Sequence, residues 1–229
     1  VVLELENNIV QRIINIINKH ITIMIIAGAK SHATEVIELF SKSEILEDIC
    51  FFDDVNSLDT FFNKFKILNS LESVAEYFKT YDSKFVLGVG NPKLRLLFSD
   101  KLENQGGTLT SIICKSANIG KYNVNLSSGL NIMSFVFISN NTTIGRGTLI
   151  NTRASIHHDV QVGEFCEISP NALLLGGVIV GDLCSVGANA TVLPNITIGS
   201  NVIIGAGAVV TSDLPDNCTA VGVPAKIIK

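Results

Sequence analysis

Between Ile132 and Val210 every sixth residue is aliphatic, and this repeat constrains the fold more than any other feature of the sequence. The repeated positions are Ile132, Ile138, Ile144, Ile150, Ile156, Val162, Ile168, Leu174, Val180, Val186, Val192, Ile198, Ile204 and Val210. A helix repeats at about 3.6 residues and a strand at about 2, so neither element explains a period of six. Periods of this kind are typical of β-solenoids, in which each hexapeptide supplies a short strand and a turn.

The repeat resembles the left-handed parallel β-helix of the hexapeptide acyltransferases, and the left-handed coil is implied by that resemblance. Three hexapeptides make one coil of such a helix, so equivalent residues of successive coils are expected to stack about 4.8 Å apart, the spacing of neighbouring strands. The predicted columns are Asn140, His158, Gly176 and Pro194; Glu167, Ser185 and Ile203; and Pro170, Ala188 and Ala206. The first hexapeptides start at Ile113 and Ile119, and a one-residue insertion precedes Leu126.

Composition excludes several classes of protein. Hydrophobic residues make up 47% of the 229 residues and charged residues 17%, which favours a folded chain of two domains. A net charge of -4 without a basic run predicts no nucleic-acid partner, and no apolar run reaches the ~20 residues of a membrane span. The five cysteines form no CxxC motif, and Cys166 and Cys184 fall on inward positions of the repeat. Cysteine used as a small apolar residue favours a reduced, cytoplasmic setting.

In the first half of the chain, predicted strands alternate with helices. Apolar residues within 1–20 have helical spacing and predict an N-terminal helical extension. Three predicted strands follow: Ile21 to Gly28 before a helix through Phe40, Ile49 to Phe52 before Asp53 and Asp54, and Phe85 to Gly90 before Asn91 and a helix from Lys93 to Leu102. This alternation predicts a Rossmann-like α/β domain with its ligand site at the carboxyl ends of the strands.

Four features together resemble the sugar acetyltransferases that modify nucleotide-linked 4-amino sugars or sialic acids: Gly28-Ala29-Lys30-Ser31-His32, Asp53-Asp54, Gly90-Asn91 and the hexapeptide half. The resemblance implies a Rossmann-like nucleotide-sugar-binding domain over 21–108 and a left-handed β-helix acetyltransferase domain over 109–229. The implied nucleotide-sugar contacts are Ala29, Lys30, Ser31, Asp53, Asp54 and Gly90. Family members usually have glycine where this chain has Lys30 or Ser31. His32 is either a helix-start residue or a direct ligand.

Two adjacent histidines and an aspartate, His157, His158 and Asp159, stand where small residues are expected at a corner of the repeat. Acetyl transfer from a thioester needs a base that takes a proton from the attacking group, and an imidazole with a pKa of about 6.5 suits that task. The family has a histidine followed by an acid, and this resemblance implies His158 as the base and Asp159 as the carboxylate that orients it. Polar residues on an exposed corner are the alternative interpretation.

The same resemblance implies acetyl-CoA as cosubstrate, contacted by Glu167, Gly176, Ala188 and Ala206. The N–H group of Gly176 is expected to face the thioester oxygen, and a family member has histidine at the position of Glu167. Direct transfer is favoured over an acyl-enzyme because Cys166 points inward. The resemblance also implies a homotrimer.

These features favour an acetyl-CoA-dependent N-acetyltransferase that acts on a nucleotide-linked amino sugar, of the kind that supplies surface glycan precursors. O-acetylation of a sialic-acid-type sugar at the same site is the nearest alternative. A carbonic anhydrase on the same scaffold needs three histidine ligands, and the repeat half has only His157 and His158, so no metal is predicted. A non-catalytic assembly module leaves the pair of His158 and Asp159 unexplained.

Overall fold

The computed structural model describes residues 21–40, 45–56 and 58–229, which form an α/β domain followed by a left-handed parallel β-helix, as the sequence predicts. The helix predicted over 1–20 lies outside the described residues. Within the described ranges, no helix combines the length and the apolar character that crossing a membrane requires.

The N-terminal domain is a six-stranded sheet with helices packed against it. Its strands are β1 (Ile21–Ala27), β2 (Ile45–Phe52), β3 (Thr60–Phe61), β4 (Phe65–Leu68), β5 (Lys84–Leu87) and β6 (Thr108–Leu109), and its helices are α1 (Ser31–Phe40), α2 (Leu71–Thr80) and α3 (Pro92–Glu103). The strand order is β3-β4-β2-β1-β5-β6, and only the pair of β3 and β4 is antiparallel. The three predicted strands and the helices after the first and third of them are present, whereas β3, β4, β6 and α2 are additional to the prediction.

Strand β1 lies at the centre of this sheet and is buried on both faces. Ile25 belongs to one apolar cluster, together with Phe52 and Phe85, while Ile26 belongs to the cluster on the other face with Phe51. Because successive residues of a strand point to opposite faces, a central strand covered on both sides is apolar without interruption. This explains why Met24 to Ala27 are all apolar.

The second half of the chain folds into short strands, nearly all of two residues. They are β7 (Ile112–Ile113), β8 (Asn118–Ile119), β9 (Asn125–Leu126), β10 (Asn131–Ile132), β11 (Phe137–Ile138), β12 (Thr143–Ile144), β13 (Leu149–Ile150), β14 (Ser155–Ile156), β15 (Gln161–Val162), β16 (Glu167–Ile168), β17 (Leu173–Leu174), β18 (Ile179–Val180), β19 (Ser185–Val186), β20 (Thr191–Val192), β21 (Thr197–Ile198), β22 (Ile203–Ile204), β23 (Val209–Val210), β24 (Thr219–Val221) and β25 (Lys226–Ile227). The coils stack into a triangular prism.

The strands of the prism form three sheets, which we call its faces. Face 1 contains β7, β10, β13, β16, β19, β22, β24 and β25, face 2 contains β8, β11, β14, β17, β20 and β23, and face 3 contains β9, β12, β15, β18 and β21. The first corner joins faces 1 and 2, the second corner joins faces 2 and 3, and the third corner joins faces 3 and 1. The repeated aliphatic residues from Ile132 to Val210 are buried inside the prism.

The strand register confirms the predicted columns. Glu167 pairs with Ser185 on the next coil, and Ile144 pairs with Leu126 on the preceding one. Ile138 pairs with Ile119, one position further back than the spacing of Ile144 and Leu126, so the first coil carries the predicted extra residue. Each coil therefore repeats the geometry of the one below it, so that a side chain has a fixed neighbour above and below.

The N-terminal domain covers the middle of face 1, where Asn131 and Leu149 are buried, and reaches the two corners that bound this face. Phe165, from the third corner, belongs to the same apolar cluster as Phe98 of α3. At the first corner, residues of α1 line a cavity of about 280 Å³ together with Ser134 and Thr152. The second corner lies on the opposite side of the prism from the covered face.

Candidate active site

The predicted catalytic pair lies at the second corner, between β14 and β15. His158 Nδ1 is 2.7 Å from Asp159 Oδ2, and the two side chains are 65% and 56% exposed. Because a carboxylate only accepts hydrogen bonds, Nδ1 carries the proton and the lone pair of the neutral ring is on Nε2. The hydrogen bond from His158, and after it one from Asn141, lowers the pKa of Asp159. The pair thus presents an exposed nitrogen base next to an ionised carboxylate.

Gly176 lies on the next coil, directly against the ring of His158. A Cβ at this glycine would lie 2.7 Å from Nε2 of His158 and closer still to Cε1. Within the described residues, the N–H group of Gly176 donates to no backbone carbonyl. The absence of a side chain therefore makes room for the imidazole, and the N–H group of Gly176 is not used by the backbone of the prism.

Glu167 lies on face 1, beneath the N-terminal domain. Ser169 Oγ donates to both carboxylate oxygens, at 2.7 and 2.9 Å. Burial raises the pKa of Glu167, while the Ser169 hydrogen bond and the charge of Arg95 oppose that shift. Glu167 is thus a partly desolvated acid at the contact between the two domains.

Ala188 and Ala206 stack at the first corner, where the N–H group following Ala206 donates to the Ala188 carbonyl at 2.8 Å. Together with Glu167 they occupy face 1 and its border with face 2. His158, Asp159 and Gly176 occupy the second corner. Within one chain, the residues predicted to contact acetyl-CoA or to catalyse its reaction therefore lie in two separate groups.

The predicted nucleotide-sugar contacts gather at the carboxyl ends of β1, β2 and β5. A pocket of about 170 Å³ is lined by Gly28, Ala29, Lys30, Asp53, Val55, Asn56, Val89, Leu94 and Phe98. Ser31 begins α1 beside it, and Gly90 follows Val89 at the end of β5. The Asn91 side chain caps α3 by accepting hydrogen bonds from the N–H groups of Lys93 and Leu94.

The two acids of the Asp53-Asp54 pair have different surroundings. Asp53 is 6% exposed, and its carboxylate accepts from the N–H groups of Val55 and Asn56, at 2.9 and 3.1 Å, and from the Asn56 side chain at 2.6 Å. Asp54 forms an ion pair with Lys101 of α3. Asp53 therefore shapes the loop after β2, while Asp54 is held by a cation of the neighbouring helix.

His32 lies in the first turn of α1, with Nδ1 at 3.0 Å from Glu35 Oε2. Its Nε2 is buried and has no hydrogen-bond partner among the described residues. Burial, followed by the charge of Arg95, lowers the pKa of His32. The ring is therefore held neutral at physiological pH.

Sequence reasoning missed Arg95, the largest side chain with no exposed surface. Its guanidinium donates to the carbonyls of Gly147 and Val89, both at 2.7 Å, and to Asn131 Oδ1 at 2.8 Å. Burial lowers its pKa to about 9, and the charge of Glu167 opposes that shift. The only sequence signal is its position in the buried stripe of α3 that continues through Phe98.

Among the described residues, no three His, Cys, Asp or Glu side chains are arranged to hold a metal ion. None of the five cysteines forms a disulfide, and Cys166 and Cys184 are buried in the core of the prism.

This combination of an α/β domain, a hexapeptide prism and an exposed histidine–carboxylate pair defines an acyltransferase class. Residues 23–102 match the family model of the PglD N-terminal domain, and 141–176, 159–193 and 177–212 match that of the bacterial transferase hexapeptide with six repeats. No significant match was found among curated protein sequences.

Three solved structures resemble this chain over most of its length. A mutant of perosamine N-acetyltransferase from Caulobacter crescentus, in complex with CoA and GDP-perosamine, is 32% identical over 91% of this chain and 98% of that chain, with a TM-score of 0.84. The acetyltransferase domain of PglB from Neisseria gonorrhoeae FA1090, in complex with acetyl coenzyme A, is 26% identical over 90% and 98%, with a TM-score of 0.78. WeeI from Acinetobacter baumannii AYE is 25% identical over 90% and 99%, with a TM-score of 0.82. The chain belongs to the hexapeptide-repeat sugar acetyltransferases with a PglD-type N-terminal domain.

Proposed function

We propose that this protein transfers the acetyl group of acetyl-CoA to the amino group of a nucleotide-linked amino sugar, a step in making surface glycan precursors. The observation that carries this proposal is the exposed pair of His158 and Asp159. Nδ1 of His158 is hydrogen-bonded to the carboxylate, and Nε2 lies next to Gly176. The likeness to an enzyme bound to CoA and GDP-perosamine supports the choice of both substrates. A cytoplasmic location is part of the proposal, and the unoxidised pair of Cys166 and Cys184 supports it.

In the proposed reaction, the sugar amine attacks the thioester carbonyl while Nε2 of His158 takes the amine proton. A carbon–nitrogen bond forms, and Asp159 stabilises the imidazolium. The Gly176 N–H group donates to the oxyanion of the tetrahedral intermediate. The carbon–sulfur bond then breaks, and the departing CoA thiolate receives the proton from His158. No covalent enzyme intermediate is required.

The acceptor is proposed to bind in the pocket at the end of β1, with Ala29, Lys30 and Ser31 at its phosphates. The start of α1 supports this assignment, because N–H groups at a helix start attract anions. Asp54 and Gly90 complete the proposed contacts from β2 and β5, while Asp53 is assigned an indirect part through the loop that it shapes. Glu167, Ala188 and Ala206 are proposed to contact acetyl-CoA along the first corner.

The active form is proposed to be a homotrimer with shared sites. The acceptor pocket belongs to the domain that covers face 1, whereas His158 lies at the corner opposite that face, and this separation supports transfer between subunits. Each site would combine the acceptor pocket and Glu167 of one subunit with His158 of the next. Light scattering tests the trimer, and a fully active monomer would refute it.

Subunit complementation tests the shared site directly. Chains carrying His158→Ala and chains carrying Asp54→Ala are to be unfolded together, reassembled and assayed. Assayed at a nucleotide-sugar concentration well below its KM, where both parents are weak, mixed trimers should regain part of the wild-type activity, since some sites then combine two intact halves. Reassembled mixtures without activity above either parent would contradict transfer between subunits.

Release of CoA with a panel of UDP-, dTDP- and GDP-linked 4-amino sugars tests the function itself. Acetylation of the amine, seen by mass spectrometry, is the expected product. Acetylation of hydroxyl groups on sialic-acid-type sugars, with none on the amines, would favour the O-acetyltransferase alternative. Lack of acetyl-CoA binding by isothermal titration would instead favour an assembly module.

His158→Ala is expected to lower kcat by roughly 10²–10⁴, the usual worth of a positioned base, while both KM values stay near wild type. His157→Ala is the matched control, because His157 occupies the preceding position and its ring packs at 5.8 Å from that of Phe137. Equal losses from the two substitutions, in folded variants that bind acetyl-CoA, would overturn the assignment of His158 as the base.

A further inference from the structure

Asp159 belongs to a column of corner residues with left-handed backbone. The members and their φ angles are Asn123 (52°), Asn141 (55°), Asp159 (63°), Gly177 (71°) and Asn195 (59°). Asparagine, aspartate and glycine are the residues that adopt this conformation most readily. Because successive members lie on successive coils, each side chain faces the one above and the one below it.

The strand register on both sides of this corner places Asn141 one coil before Asp159. Asn123 Nδ2 donates to Asn141 Oδ1 at 3.2 Å. The same kind of bond joins Asn201 Nδ2 to Asn217 Oδ1 at 2.7 Å, two other residues with left-handed backbone. With its oxygen occupied from below, the Asn141 amide has its N–H groups left for the next coil, where the Asp159 carboxylate stands.

The stacked side chains of this column are interrupted after the Asp159 carboxylate. The next member of the column is Gly177, which has no side chain. Asp159 Oδ2 is bonded to Nδ1 of His158 at 2.7 Å. The hydrogen bonds of His158 and then of Asn141 lower the pKa of Asp159, and His158 is the one charged group of the described residues that contributes to the shift.

We propose that Asn141, oriented by Asn123, is a positioning residue that holds the Asp159 carboxylate turned toward Nδ1 of His158. This inference rests on the proposed role of His158 as the base. An amide that donates to Asp159 fixes the rotamer of the carboxylate, and the carboxylate in turn fixes the tautomer of the imidazole. Asn141 thereby acts on His158 through one intervening side chain, that of Asp159.

The same column provides a matched control. Asn195 has the same left-handed backbone, but its side chain lies over Gly177, on the far side from Asp159, where a Cβ on Gly177 would collide with Asn195 Oδ1. Asn141→Gly and Asn195→Gly remove the same group from the same kind of corner, and glycine tolerates both φ angles. They differ in whether the lost amide adjoins Asp159.

The test measures kcat, both KM values and the pH dependence of kcat for the intact protein. Asn141→Gly should lower kcat about tenfold, equivalent to about 1.4 kcal/mol, with both KM values within about twofold of wild type. The rising limb of the profile should shift from its wild-type position, because the carboxylate beside the imidazole loses a hydrogen-bond donor. Asn195→Gly should leave kcat and the limb unchanged, and Asn123→Gly should have a smaller effect than Asn141→Gly.

A double-mutant cycle separates positioning from simple support of the coil. In an Asp159→Asn background, Asn141→Gly should have little further effect on kcat, since no carboxylate remains to be positioned. Additive losses, or equal kinetics for Asn141→Gly and Asn195→Gly, would overturn the proposal. Wild-type activity of His158→Ala would instead overturn the proposed function, so the two failures are distinguishable.

Discussion

Arg95 and Asn131, two side chains without exposed surface, join the two domains by a hydrogen bond of 2.8 Å. Asn131 Nδ2 also donates to the carbonyl of Leu87 at 2.9 Å, and Arg95 donates to that of Val89. The first carbonyl belongs to the last residue of β5 and the second to the loop that carries Gly90. The prism therefore holds β5 and the loop after it in place through side chains of both domains.

Arg95→Met is expected to destabilise the protein, because it leaves buried carbonyls unpaired at roughly 1–3 kcal/mol each. Arg146→Met is the control: Arg146 pairs with Glu103 across the same interface but is 28% exposed, so its loss should cost about 1 kcal/mol or less. Thermal unfolding compares the two. Equal midpoints would show that the buried network contributes no more than the exposed pair.

Gly176→Ala is expected to lower kcat by about a hundredfold or more, because the added methyl group displaces the ring of His158. The KM for acetyl-CoA should change much less, and the thermal midpoint should stay close to wild type, since the clash is relieved by rotation of an exposed side chain. Unchanged kcat would mean that the observed ring position is not the catalytic one.

Asp54→Ala is expected to raise the KM for the nucleotide-sugar by about tenfold, as the loss of a hydrogen bond to a charged acceptor would. The KM for acetyl-CoA should stay nearly unchanged. Lys101→Met breaks the same ion pair but keeps the carboxylate. Lys101→Met therefore shows whether the rise in KM comes from loss of the Asp54 carboxylate or from loss of the ion pair. A larger rise in the KM for acetyl-CoA would contradict the assignment of this domain to the acceptor.

The pH dependence of kcat should show an activity that rises with pH, because His158 accepts a proton only when its ring is neutral. In Asp159→Asn the rising limb should move to lower pH and the plateau should fall, since the imidazolium loses its ionised neighbour. Asparagine suits the φ angle of 63° at this position, as Asn141 and Asn195 do in the same column. A rising limb at the same pH as in wild type would show that Asp159 does not influence the group that titrates.

Much of the prism was readable from the sequence, because a period of six fixes which residues point inward, and the shift before Leu126 marks an irregular coil. The shorter last coil, in which Ile203 pairs with Thr219, was not anticipated. The pair of His158 and Asp159 was also accessible, since its members are adjacent in the chain. Arg95 was not, because its burial depends on acceptors that lie 36 and 52 positions away along the chain. A charged residue in an amphipathic helix normally predicts an exposed face.

The role of Gly176 was only partly anticipated. Its column with His158 was predicted from the repeat, and its N–H group was expected to face the thioester. The close packing of the imidazole on its backbone depends on the rotamer of His158, which no pattern in the sequence specifies. Likewise, the different surroundings of Asp53 and Asp54 depend on the loop after β2 and on Lys101 of α3.

Strand β25 reverses direction and pairs antiparallel with β24, the last parallel strand of face 1. A parallel β-helix that simply stops presents a row of unpaired N–H and C=O groups, which another chain can extend into a fibre. By folding back, Lys226 and Ile227 occupy that edge. The stacking of coils that builds the corner with His158 and Asp159 therefore cannot continue into another molecule along face 1.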